Sequence, residues 1–144
     1  PLPGELHKNG WMEINCPMDS AILHKRYEEK FKIYKKTMCP VYHFSKVRYL
    51  YFQMTIELLK KYGDVYLVRL PTSSRMKQME DTLMPDFDKK IEFLSTELNV
   101  PYFNFINSCS NYVTTDGNHL YKDYSRIVSK QIADSIIISK KNKF

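Results

Sequence analysis

The chain has 144 residues, 43% hydrophobic and 14% aromatic, with a net charge of +6, enough apolar material for one domain with its own core. The longest apolar runs, such as Ile136-Ile137-Ile138, fall far short of the roughly 18 residues a membrane span needs. Three widely spaced cysteines, Cys16, Cys39 and Cys109, fit neither a disulfide framework nor a zinc site and read as free thiols.

Residues 1–18 mix prolines, glycines and isolated large apolar residues, so they read as a loop or extended arm anchored by Trp11. Asp19 and Ser20 then precede Leu23, Tyr27, Phe31 and Tyr34, whose spacing marks one face of a helix ending at Cys39-Pro40. A second helix is predicted over 45–62, capped by Ser45, with Val47, Leu50, Tyr51, Met54 and Leu58 facing the core and Gly63 as its stop. Val65 to Leu70 is a short β-branched and aromatic run between Gly63 and Pro71, the pattern of a buried strand. Pro85 opens a third helix with Phe87, Ile91, Leu94 and Leu98 on one face, and a second strand follows over 102–106. After a loop over 107–115, the last helix spans 121–138, with Leu120, Tyr124, Ile127, Val128 and Ile132 directed inward.

Helix, strand, helix, strand, helix implies an α/β fold with a parallel sheet, 1–44 forming an arm and helix and 45–144 the α/β units. Two readable strands are few for a stable sheet, and the chain starts at Pro1 without an initiator methionine. The expectation is a partial domain, incomplete at its N-terminus, whose truncated sheet exposes an edge open to homodimer formation. Nothing resembles a secretory signal, so the compartment stays open, with the cell envelope or secretion expected if the longer protein carries one. The basic excess invites a nucleic-acid partner, but it lies in Lys35-Lys36, Lys60-Lys61, Lys89-Lys90 and the terminal tail, as solvated helix faces do. Nucleic acid is therefore not an expected partner.

In open α/β sheets ligands gather at the carboxyl ends of strands, where the loops following the two strands lie. Ser73, Ser74 and Arg75 of the first loop, with Asn118 of the second, are expected to line a pocket there. The second loop also delivers Asp116-Gly117-Asn118-His119-Leu120, a carboxylate three residues before a histidine. A hydrolytic histidine needs one ring nitrogen held by a carboxylate and the other free to take a proton from a hydroxyl, and this spacing meets the first demand. The plain alternative is that Asp116 caps the next helix and His119 is solvated.

This block, followed by Tyr124, Ile127, Val128 and Ile132, resembles the last block of the SGNH (GDSL-like) hydrolase and acyltransferase superfamily. Val65 to Pro71, the helix of Phe87 to Leu98 and Val100 to Phe105 resemble the strand, helix and strand that precede it there. The resemblance covers roughly 45–138. It implies a three-layer α/β/α, flavodoxin-like fold, His119 as general base and Asp116 as its orienter. It also implies ester chemistry on acylated carbohydrate or another small ester, by hydrolysis or by acyl transfer, with no metal and no organic cofactor. The family's Gly-Asp-Ser segment and oxyanion blocks have no counterpart here. Met18-Asp19-Ser20 is their nearest imitation, making Ser20 the only nucleophile candidate, although it lacks the glycine and is better explained as a helix cap. The serine is accordingly expected from a missing N-terminal part. The competing expectation is a non-catalytic basic module, a degenerate family member or a binder of anionic polymer.

Overall fold

The computed structural model describes residues 4–10 and 12–141, and of residues 109 and 110 the backbone alone. The described residues form a mixed α/β structure with five α-helices and two small sheets. The sequence-predicted arm is a hairpin: β1 (Gly4–Leu6) pairs antiparallel with β2 (Met12–Ile14), in the register Glu5 to Glu13. Gly10, at φ +85°, donates to the carbonyl of His7 and closes its turn. Strands of three residues are too short to show alternation, so this segment carried no readable period. Trp11, the expected anchor, lies outside the described residues.

Helix α1 (Ser20–Ile33) starts where Asp19 caps the N–H groups of Ala21 and Ile22, and it continues into a wider π-helical turn over Tyr34–Met38. Its buried residue is Phe31, with Leu23, Tyr27 and Tyr34 half-buried on the same side. Helix α2 (Lys46–Lys60) is capped by Ser45 as its sequence suggests. Its orientation corrects the sequence reading. Val47, Leu50, Tyr51, Met54 and Leu58 stand half to two-thirds exposed, and the helix buries Ile56 and packs Tyr49 instead. The physical reason is that α2 carries two apolar stripes on opposite sides, and the core of Leu67, Ile91, Leu94 and Val100 takes up Ile56 and Tyr49 from the second of them.

Strands β3 (Leu67–Arg69) and β4 (Tyr102–Asn104) run parallel, Leu67 opposite Tyr102 and Arg69 opposite Asn104. Between them come α3 (Ser74–Leu83) and α4 (Phe87–Glu97). The sequence reading treats residues around Ser74 as loop, whereas Ser73 caps a ten-residue helix there. Ile56, Leu67, Ile91, Leu94 and Val100 make the main core, joined by Tyr49, Val65, Phe87, Leu98 and Tyr102. Just past the Leu98 cap of helix α4, Asn99 takes φ +49°, a left-handed conformation asparagine tolerates. After β4 a 3-10 turn (Ile106–Asn111) leads through an irregular loop to α5 (Lys122–Lys141), where Val128 is buried and Ile127, expected inward, is exposed.

Arg69 ties the sheet to both intervening helices. Its guanidinium pairs with Glu80 of α3 at 2.9 Å and Asp88 of α4 at 2.7 Å, and lies 4.7 Å from the Phe87 ring centroid. The Tyr102 hydroxyl donates to Asp88 at 2.8 Å. Burial works against ionisation of Asp88, but Arg69 and Tyr102 outweigh it and hold its pKa below the usual carboxylate range. Burial and the Asp88 charge push the Tyr102 phenol upward.

Candidate active site at the Asp116–His119 turn

The loop after β4 closes on itself before α5 begins. Thr114 pairs with Leu120 in an isolated antiparallel bridge, Tyr121 N–H donates to Val113 at 3.0 Å, and Thr115 N–H donates to the His119 carbonyl at 2.7 Å. Asp116 to His119 form the tip. Gly117, at φ +109° and buried, supplies a backbone conformation that side-chain-bearing residues rarely adopt.

Asp116 divides its two oxygens between shape and chemistry. Oδ1 accepts from the backbone N–H groups of Asn118 at 3.3 Å and His119 at 3.1 Å, which fixes the turn. Oδ2 accepts from His119 Nδ1 at 2.8 Å and from Lys30 Nζ at 2.9 Å. The carboxylate side chain is 21% exposed and the imidazole 67%. Burial disfavours the Asp116 anion, yet Lys30, the His119 ring and the two backbone donors together keep its pKa below the ordinary value. The acid therefore does not cap α5, which starts three residues after His119. Among the described residues Asp116 is the ring's one hydrogen-bond partner, through Nδ1.

Helix α1 holds this loop from below. Tyr27 bonds the hydroxyl of Thr114, Lys30 the carboxylate of Asp116, and Tyr34 accepts from the Asn118 amide at 3.2 Å. Residues one helical turn apart on α1 and the π-helical turn that continues it thus meet every second residue of the loop. Phe31, between them, faces Gly117, where an added Cβ would stand 3.6 Å from its ring. Sequence reasoning found Tyr27, Phe31 and Tyr34 as a face but missed Lys30. A signal was present, since Lys30 falls three residues after Tyr27 and four before Tyr34, within the apolar stripe.

The loop after β3 reaches the same place. Ser73 N–H donates to the Gly117 carbonyl at 2.7 Å, so the loops following both parallel strands meet at their carboxyl ends. The Ser73 hydroxyl faces its own helix, accepting from Met76 N–H at 3.3 Å. Ser74 is exposed on the first turn of α3, and Arg75 pairs with Glu28 while stacking 4.2 Å over Phe31. Asn118 lies in the turn itself, with its Oδ1 buried and without a donor among the described residues. Ser20 is not brought to this site: it starts α1, ten residues before Lys30, which is roughly 15 Å along the helix axis.

A cavity of about 280 Å³ adjoins the turn, lined by Asp116, Thr115 and Lys30 together with Cys16, Arg26, Glu29 and Ile33. Among the described residues no group of histidine, cysteine and acidic side chains is arranged to hold a metal ion. No helix among them is long and apolar enough to cross a membrane. Compared with protein-family profiles, with curated proteins and with solved structures, the chain finds no match.

Proposed function

We propose that Asp116 and His119 are the orienter and general base of a serine-dependent ester hydrolase or acyltransferase of the SGNH type, within a three-layer α/β/α fold. One observation carries this reading. Asp116 Oδ2 accepts from His119 Nδ1 at 2.8 Å, which selects the tautomer whose lone pair sits on Nε2. A second supports it: the loop bearing the pair meets the loop after β3 at the carboxyl ends of parallel strands.

The serine in this reading is contributed from outside these 144 residues. Its hydroxyl proton passes to Nε2 as its oxygen attacks the ester carbonyl, and the imidazolium then returns a proton to the leaving alcohol. Asp116 stays ionised throughout and stabilises the cationic ring. An acylated carbohydrate or a comparable small ester fits this chemistry, with water or a second hydroxyl as the acceptor. Short-chain aryl ester hydrolysis by the complete protein tests the reading. His119→Ala should abolish turnover and leave fluorophosphonate labelling of the serine measurable, though slower. Retained turnover would refute the assignment.

A second reading, a non-catalytic basic interaction module, is favoured by the want of any hydroxyl bonded to the His119 ring among the described residues. Under it the chain and its complete protein are inert towards both ester and fluorophosphonate, and bind an anionic polymer in a salt-sensitive manner.

A further inference from the structure

Two donors converge on one oxygen of Asp116, and they carry different chemistry. His119 Nδ1 lies 2.8 Å from Oδ2 and Lys30 Nζ lies 2.9 Å from the same atom. Whenever the imidazole takes a proton, two cations therefore share a single carboxylate oxygen. Lys30 does not stand in free solution. Its side chain is 21% exposed, with Nζ 5.5 Å from the Tyr34 ring centroid, and α1 is bonded to the same loop on either side of it through Tyr27 and Tyr34. The ammonium is held in place by its own helix, so its charge does not swing away as the ring charges.

We infer that Lys30 is a positioning residue for the proposed general base, fixing the Asp116 carboxylate towards the ring and opposing the build-up of positive charge on His119. A carboxylate that faces the ring alone favours the imidazolium more than one whose charge is shared with a second cation. The fixed ammonium offsets part of that attraction. This inference rests on the general-base reading above, but its test reads the ring itself.

Other charged groups surround the pair without bonding to it. Arg26 and Glu29 of α1, with Cys16, line the adjoining cavity. Arg75 and Glu28 pair across Phe31 behind Gly117. Lys122, at the start of α5, leans towards Glu13 and Asn15. All remain in every variant considered, so differences between variants belong to the substituted group.

The experiment is an NMR titration of the His119 Cε1–H signal in the 144-residue chain, assigned among the four histidines by His119→Gln. Asp116→Asn should lower the titration midpoint and Lys30→Met should raise it, each by about half a pH unit or more, while Lys30→Arg stays near the parent chain. A Lys30 that merely anchors α1 predicts otherwise. Its loss would slacken the carboxylate and leave the midpoint unchanged or lower, and either result overturns the inference. Should Lys30→Met not fold, Lys30→Gln, which removes the charge but keeps a polar donor, carries the same test of sign. Failure of the esterase reading would surface elsewhere, as ester turnover indifferent to His119→Ala, so the two failures are told apart.

Discussion

Ser73 and Gly117 are joined backbone to backbone, N–H to carbonyl, at 2.7 Å. The bond spans the two loops that leave the parallel strands, and it forms where Gly117 adopts φ +109°. The geometry of the Asp116–His119 pair thus depends on a residue with no side chain.

Gly117→Ala is expected to strain that backbone. Its new Cβ would meet Ser73 Oγ at 3.5 Å, Phe31 at 3.6 Å and Met76 at 3.7 Å, ordinary contacts, so conformation rather than crowding sets the penalty. A loss of about 1–3 kcal/mol in urea unfolding is predicted, with the Asp116 and His119 amide signals displaced. A variant as stable as the parent chain would show that the turn relaxes without cost.

The orientation of α2 is tested by a pair of substitutions of one residue type. Leu94→Ala, in the fully buried heart of the core, should cost about 2–5 kcal/mol by chemical denaturation. Leu50→Ala, on the outward stripe of α2, should stay within about 0.5 kcal/mol of the parent chain. Comparable losses at both sites would mean that the stripe is covered.

Arg69→Met removes the shared partner of Glu80 and Asp88 and leaves two carboxylates facing each other's field beside Phe87. A loss of about 2 kcal/mol at neutral pH is expected, less than for a fully enclosed pair because Glu80 is partly in water. The deficit should shrink in acid, as protonation relieves the unpaired carboxylates. A deficit independent of pH would assign the effect to packing alone.

Asp116 also sets a pH dependence. Its pKa lies below the ordinary carboxylate value in the folded chain, so its interactions stabilise the fold above about pH 4 and fade as pH falls through the lower folded value. Asp116→Asn should accordingly be less stable than the parent chain at neutral pH and converge with it as pH falls through the lowered folded value. Urea midpoints measured at several pH values from neutral into acid provide the check, and a constant gap would contradict the assignment.

Strands β3 and β4 and the Asp-x-x-His pair were legible because each is encoded locally, and the parallel pairing followed from the alternation of helices and strands, whereas the β1–β2 hairpin was not read. Val65 to Leu70 is apolar between a glycine and a proline, and the reach from Asp116 to His119 is three residues. Helix α3 was signalled by Met76, Met79 and Leu83, spaced three and four residues apart, but the run covers little more than two turns and its cap Ser73 directly follows Pro71-Thr72, so the segment reads as a continuation of the loop. In α2, periodicity identified the helix but not its buried side, since Tyr49, Phe52, Ile56 and Leu59 repeat as regularly as the stripe facing water. Lys30 stood out locally as a charge within the apolar stripe of α1, but its partner lies 86 residues away, and the stripe does not name a partner brought in by the tertiary fold.

Of all the residues in α2, Ile56 alone is buried, so the helix is fastened along one narrow seam. In hydrogen–deuterium exchange its amides should open ahead of those in α4, which buries both Ile91 and Leu94. Thermal agitation would then peel this helix from its neighbours while the rungs between Leu67 and Tyr102 stay closed.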